Sequence, residues 1–239
     1  MKIDKEKKCV EIFDAHWYKV NDDLYYPSVT SVLGTLNKGF GYDEWLRNVG
    51  WNSKLILEKA QRSGSKIHHA IELFLQNNTI LPDDFEEEEW VKMCNFANWF
   101  NNLNIKVIAT ENELIDDDMQ LAGTCDFVCK IDDTVYLIDF KTGNAIHEIS
   151  HLQTACYTEM WNKHNKIKIQ KAGILHVGAS TRTQKDLNNK GIKFEETDLP
   201  KYSKLFHHTL EIYNEMYRQK PPLLKYPCSL KIENKSCKN

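Results

Sequence analysis

Two aspartates and a lysine lie close together in the middle of the chain, within apolar sequence. Asp126 lies in the run 123–128, and Asp139 and Lys141 end the run that starts at Leu137. If both runs are strands, residues two apart share a face, so the Asp139 and Lys141 side chains point the same way. One acid from each strand and a lysine would then meet at one site.

The pairing of two carboxylates predicts a bound divalent cation. Two close carboxylates repel each other, and each loses favourable contacts with water in the fold. Mg²⁺ or Mn²⁺ resolves this repulsion, because these ions take carboxylate oxygens, a backbone carbonyl and water as ligands. Lys141 would orient a bound water and balance developing charge, which suits phosphodiester hydrolysis. The competing interpretation is an ordinary surface ion pair between Asp139 and Lys141.

The flanking sequence predicts the elements that position these residues. Alternating aromatic and polar residues in 16–33 predict a small β-hairpin around Asn21-Asp22-Asp23, and 28–33 leads toward helical sequence. Two helices over 44–76 are expected to be broken near Ser63-Gly64. Further helices are predicted over 84–103, 147–164 and 199–218, and strands over 106–113, 120–131, 134–139, 172–177 and 192–196. This order predicts an α/β or α+β fold with an N-terminal helical layer.

Composition limits the remaining classes of protein. The 239 residues, 41% of them hydrophobic, suffice for one large core, and no repeat divides the chain. No apolar run approaches the ~20 residues of a membrane span, and the charged first residues lack the apolar segment of a secretory signal. The 7 cysteines have no paired spacing, which argues against a disulfide framework or a zinc ribbon. We expect a soluble, cytoplasmic protein without membrane association.

Asp126 followed by Asp139-Phe140-Lys141 resembles the PD-(D/E)xK nuclease superfamily. Further segments follow the order of its RecB-like exonuclease branch: Tyr26-Pro27-Ser28-Val29-Thr30, Gly64-Ser65-Lys66-Ile67-His68, Glu111 before Leu121-Ala122-Gly123, and Gln153-Thr154-Ala155-Cys156-Tyr157. The first of these is similar to stand-alone phage exonucleases and to the mitochondrial genome maintenance exonuclease. The resemblance implies a restriction-endonuclease-like core with a central mixed β-sheet flanked by helices. It also implies a single domain over 1–239, with a hairpin and helical part at 1–104 and a catalytic core at 105–239.

The resemblance also implies roles for individual residues. The implied metal ligands are His68, Glu111, Asp126, Asp139 and the backbone carbonyl of Phe140. A histidine ligand favours Mn²⁺ somewhat over Mg²⁺, and Glu113 competes with Glu111 for its place. The implied catalytic residues are Asp126, Asp139, Lys141, Gln153 and Tyr157, and the implied DNA contacts are Ser28, Thr30 and Arg182.

Two features of related nucleases are expected to be missing. Some RecB-like nucleases hold an iron–sulfur cluster with one early and three late cysteines, but here Cys9 is early and only two cysteines, Cys228 and Cys237, lie late in the chain. We therefore expect no iron–sulfur cluster. The sequence also has no Gly-Lys-Thr phosphate loop, which predicts a nuclease without its own helicase motor.

The function predicted from these observations is metal-dependent DNA exonuclease activity at single-stranded or double-stranded ends. The setting expected is phage or bacterial recombination, repair or replication, with phage or host recombination proteins as partners. Two alternatives remain open: a structure-specific endonuclease of the same fold, and a non-catalytic DNA-binding module.

Overall fold

The computed structural model describes residues 2–3, 9–12, 15–21, 24–36, 39–178 and 191–218. In chain order, the elements are β1 (Lys2–Ile3), β2 (Cys9–Ile12), β3 (Ala15–Lys19), β4 (Tyr25–Pro27), α1 (Val29–Leu33), α2 (Phe40–Val49), α3 (Asn52–Leu75), a short 3-10 helix (Pro82–Asp84), α4 (Glu87–Asn101), β5 (Ile105–Asp116), β6 (Leu121–Ile131), β7 (Thr134–Lys141), α5 (Glu148–His164), β8 (Lys171–Val177), β9 (Ile192–Glu196), α6 (Leu199–Ile212) and a π-helical turn (Tyr213–Tyr217).

A five-stranded mixed sheet forms the centre of the fold, in the order β5-β6-β7-β8-β9. Only β7 and β8 pair in parallel, and α5 connects them, because parallel neighbours need a crossover rather than a tight turn. One face of the sheet packs on α3 and α4 through Phe96, Phe127 and Phe140. The other face packs on α1, α5 and α6. The expected α/β architecture, a mixed sheet between helices, is confirmed.

The N-terminal part contains a second sheet that was only partly predicted. The hairpin of β3 and β4 is confirmed, but β1 and β2 extend it to four antiparallel strands. Their sequence lacks the clear alternation that marked the hairpin. This sheet is joined to the central one, since Ser28 forms a parallel bridge with Ala122 and the Tyr18 hydroxyl lies 2.9 Å from Thr124 Oγ1.

The predicted helix break at Ser63-Gly64 is wrong. Helix α3 runs unbroken through both residues, and the chain turns instead at Gly50, whose φ of +60° lies in the left-handed region. Gly64 serves a close approach: a Cβ at this position would lie 3.1 Å from Thr142 Oγ1, just after β7. In the described ranges, no helix is both long and apolar enough to cross a membrane.

A buried carboxylate fastens the far end of the β5–β6 hairpin to α5. Asp116 is fully buried and accepts hydrogen bonds from the Met119 amide at 2.8 Å and from Lys163 Nζ at 2.9 and 3.0 Å. Burial acts to raise the pKa of Asp116, but these hydrogen bonds outweigh it and hold the pKa below its ordinary value. The charge therefore stabilises the hairpin at neutral pH.

We expect Asp116→Asn to lower the free energy of unfolding by about 1–3 kcal/mol at neutral pH, because charged hydrogen bonds are lost. The folded-state pKa is lowered, so this contribution is present above the unfolded-state value of about 4 and is lost as the pH falls through the folded-state pKa. Urea titrations at neutral and acidic pH measure it. Asp133→Asn removes an exposed partner of Lys130 and is the matched control, with a change below about 0.5 kcal/mol. Equal losses in the two variants would contradict the assignment.

Candidate metal and active centre

The centre lies where β6 and β7 separate. Their backbone pairing ends at Phe127 opposite Ile138. Two residues further along β7, the Phe140 amide donates a hydrogen bond of 2.7 Å to Asp126 Oδ2 instead of to the backbone of β6. A side-chain carboxylate thus satisfies a backbone donor that the sheet no longer pairs, which fixes Asp126 at the mouth of the opening.

Asp139 and Lys141 point to the same side of β7, as predicted, and face α5. Lys141 Nζ lies 2.6 Å from Asp139 Oδ2 and donates a 3.3 Å hydrogen bond to Gln153 Oε1. Gln153 Nε2 in turn donates to the Tyr157 hydroxyl at 3.4 Å. The four-residue spacing of Gln153 and Tyr157 puts both side chains on one face of α5. These four residues therefore form one continuous polar chain.

Asp139 is the most unusual group in this chain of contacts. Its side chain is 1% exposed, and neither carboxylate oxygen accepts a well-directed hydrogen bond from any described residue. Burial acts to lower the pKa of Lys141, but the charges of Asp139 and Asp126 outweigh it, so the pKa is raised. Lys141 therefore stays an ammonium ion. The Asp139 carboxylate beside it can still accept ligands at its oxygens.

His68, Glu111 and Asp126 come from three different elements and converge. One ligand atom from each lies within 4.8 Å of the others, and His68 Nδ1 is 3.7 Å from Asp126 Oδ2. Burial lowers the pKa of His68, and the charge of Lys141 lowers it further, so the imidazole is neutral at pH 7. A neutral imidazole and two carboxylates are a donor set that fits a divalent cation.

Glu111 has a backbone conformation that the sequence did not signal. Its φ of +46° is left-handed, and of the four described non-glycine residues with positive φ it alone lies in a strand rather than a turn. Its neighbours pair with β6 as Thr110 with Phe127 and Asn112 with Cys125. Such a conformation costs about 1–3 kcal/mol and is found where a site demands it.

These residues surround a cleft of about 350 Å³. It is lined by Gly64, Ser65, His68, His69, Glu72, Glu111, Thr124 and Asp126. Glu111, and not its competitor Glu113, belongs to this lining. Thr124 was not singled out from the sequence, and Ser65 was given no role within its motif, because a lone hydroxyl residue carries no spacing signal.

Of the three predicted DNA contacts, the two that lie in the described ranges, Ser28 and Thr30, are not part of the cleft. Ser28 is 3% exposed and caps α1, where its Oγ accepts a 3.0 Å hydrogen bond from the Ser31 amide. Thr30 is exposed on the same helix, with its hydroxyl 2.8 Å from Ser28 Oγ. Neither lines the cleft. Arg182 lies outside the described residues, so its role stays a prediction.

Gly123 makes room for the Tyr157 ring. A Cβ at this position would lie 2.5 Å from Tyr157 Cε1 and 2.9 Å from its hydroxyl oxygen, which is closer than real Cβ atoms come to their neighbours. Tyr157 is itself 3% exposed, and burial raises its pKa well above the ordinary value, so it remains a neutral phenol.

We expect Gly123→Ala to displace the Tyr157 ring and lower the free energy of unfolding by about 1–3 kcal/mol. Gly143→Ala is the matched control, because a Cβ at Gly143 meets nothing within 4 Å. Urea unfolding of both variants measures the difference. A Gly123→Ala protein as stable as Gly143→Ala would show that the ring has space to move.

Comparison with known proteins supports the same interpretation. A family model of the PD-(D/E)XK nuclease superfamily matches residues 48–231, about three quarters of the chain. No curated protein matches the chain. The matched segment includes the sheet, the cleft and the polar chain on α5, and the mixed sheet between helices is the restriction-endonuclease-like fold of these metal-dependent nucleases. The chain belongs to the PD-(D/E)XK nuclease superfamily.

Proposed function

We propose that this nuclease is a metal-dependent DNA exonuclease of the RecB-like branch, acting on phosphodiester bonds at DNA ends. The observation that carries the proposal is the buried Asp139 carboxylate, which lies beside Lys141, accepts no well-directed hydrogen bond from the described residues and is near the cluster of His68, Glu111 and Asp126. A structural ion pair would have its remaining oxygens satisfied by hydrogen bonds. Carboxylate oxygens that are buried without hydrogen bonds are suited to binding a cation.

The donor set defines which residues would hold that cation. Asp126 would supply carboxylate oxygens, His68 a ring nitrogen and Glu111 a carboxylate, direct or through water, from the observed cluster. The Asp139 carboxylate and the Phe140 backbone carbonyl, which the family resemblance implies as ligands, would complete the set. Mg²⁺ or Mn²⁺ bound there would polarise the phosphate and acidify a water molecule. The nitrogen ligand shifts the preference towards Mn²⁺.

The remaining polar residues act on the water and the phosphate. Lys141 is held charged and is directed by Gln153, so its ammonium group can orient the attacking water and neutralise charge that builds up on the phosphate. Tyr157 fixes Gln153 through its hydroxyl. Because Gly123 and Tyr157 pack closely, this alignment is set before substrate arrives.

Action at ends is supported by the ordered motifs of the RecB-like branch, from Ser28 to Tyr157, which favour exonucleases over the structure-specific endonuclease alternative. The intact Asp126, Asp139 and Lys141 set argues against a non-catalytic DNA-binding module, which would tolerate their loss. We also propose a cytoplasmic role in phage or bacterial DNA recombination, repair or replication.

Asp139→Asn and Lys141→Ala should each reduce DNA hydrolysis by about 10²–10⁴-fold, because each removes a group from the reacting centre. Degradation of labelled DNA is the assay, and circular dichroism confirms folding. The exposed pair Lys130 and Asp133, 3.0 Å apart on the same hairpin, provides the controls Lys130→Ala and Asp133→Asn, which should retain full activity. Undiminished hydrolysis by Asp139→Asn would refute this centre.

Divalent cations should raise the thermal stability of the protein without any DNA present. At 100-fold excess over Kd, the gain is about 2.7 kcal/mol. Differential scanning fluorimetry with Mg²⁺, Mn²⁺ and EDTA measures it. Asp126→Asn should abolish the gain, and His68→Ala should reduce the gain from Mn²⁺ more than that from Mg²⁺. A gain that survives Asp126→Asn would place the cation elsewhere.

Linear DNA should be degraded progressively with either metal, and covalently closed circles should persist. A gel time course on matched linear and circular DNA tests this, with nicked circles as a third substrate. Cleavage of closed circles would instead identify an endonuclease, and would leave the metal centre intact as an assignment.

A further inference from the structure

Helices α2 and α3 form an arm that projects beside the cleft; we use this name for residues 40–66. The residues of α3 up to Arg62 are exposed except for half-buried Ser53, and full burial begins only at Ile67. The second half of the same helix carries His68 into the cleft. The arm is therefore a rigid extension of an element that builds the metal cluster.

Large apolar side chains cover the exposed arm. Trp51, at its tip, is 100% exposed, Phe40 is 75% exposed and Leu55 is 66% exposed. A cluster of exposed apolar groups on one element marks a binding surface more often than a defect. Tryptophan is well suited to stacking on unpaired bases, which present a flat apolar face whatever their sequence.

The arm also carries positive charge, although the chain as a whole is acidic. Residues 40–66 contain five basic and three acidic side chains, a formal charge of +2 against −3 for the whole chain. The ion pairs of Lys54 with Glu58 and of Lys59 with Glu86 are exposed, at 3.9 and 3.5 Å. Exposed pairs of this kind are weak, so phosphate can replace the carboxylates.

A groove of about 440 Å³ lies along the second half of the arm and shares Gly64 with the lining of the metal cleft. It runs from Leu55 past Lys59 to Gly64. The glutamates at the groove, Glu86, Glu88 and Glu89, pair with Lys59, Lys92 and Lys66 respectively, so their charges are balanced. Trp51 lies 17 residues before His68, roughly 25 Å along a helix, or about seven nucleotides of a stacked strand.

We propose that the arm binds the single strand that continues from the DNA end held at the metal cluster, with Trp51 as a stacking platform and Lys54 and Arg62 near its phosphates. This inference rests on the proposed nuclease function. A paired duplex hides its base faces from an aromatic side chain, so the exposed Trp51 favours a single strand. The positive charge of the arm favours a polyanion over a symmetric contact with the arm of a second copy, because such a contact would bring like charges together.

Fluorescence anisotropy with labelled oligothymidylates of about 4 and about 16 nucleotides tests the proposal. Every variant is built on Asp139→Asn, so that DNA is not consumed. Trp51→Ala should weaken binding of the longer strand at least about fivefold and leave the shorter strand unaffected, while Trp51→Phe should restore most of the affinity. Lys54→Gln and Arg62→Gln should each lower the slope of log Kd against log salt by about 0.7. Leu81→Ala and Lys166→Gln, both exposed and outside residues 40–66, are the matched controls.

The outcomes distinguish a failure of the arm proposal from a failure of the proposed nuclease function. If Trp51→Ala binds the long strand as tightly as its parent while the wild-type protein degrades DNA, the arm proposal fails alone. If the wild type cuts no DNA but the arm variants still lose affinity, the nuclease function fails and the binding surface stands. If Trp51→Ala changes only the mass in light scattering, the arm is a self-association surface and the proposal is overturned. Preference for a hairpin duplex over the single strand would also overturn it.

Discussion

The ion pair between Asp139 and Lys141 is the constraint on which the rest of the centre depends. A buried carboxylate without hydrogen-bond donors is costly, and a single ammonium group at 2.6 Å compensates only one of its oxygens. The fold must therefore hold this carboxylate rigidly against its tendency to reach water. The buried apolar residues of β7 and the parallel pairing of β7 with β8 provide that rigidity.

The arrangement of helices follows from the same constraint. Since Asp139 and Lys141 face α5, the crossover helix both covers the parallel strands and supplies Gln153 and Tyr157. Helix α3 lies on the opposite face, against Phe140, and reaches the centre only because the sheet opens where β6 and β7 separate. Side chains from the helix layers on both faces of the sheet therefore converge at the point where β6 and β7 separate.

The sequence predicted the elements with local, periodic signals and missed those determined by distant contacts. The strands β6, β7 and β9 and the helix α5 agree with their predicted ranges within two residues, because each has apolar periodicity and clear ends. The break expected at Gly64 was wrong, because a glycine needed for close approach to Thr142 looks identical in sequence to one that ends a helix. The convergence of His68 and Asp126 needed the family resemblance, since 58 positions separate them. Which of Glu111 and Glu113 reaches the cleft depended on a backbone conformation that has no sequence signature.

The left-handed conformation of Glu111 also limits how far the stability of the protein can be raised without changing its cleft. Glycine or asparagine would adopt the left-handed backbone with less strain, so a selection for thermal tolerance alone would favour replacing this glutamate. The replacement would leave a better-folded protein with one carboxylate fewer in its cleft. If Glu111 binds the cation as proposed, stability and activity make opposite demands on this one position.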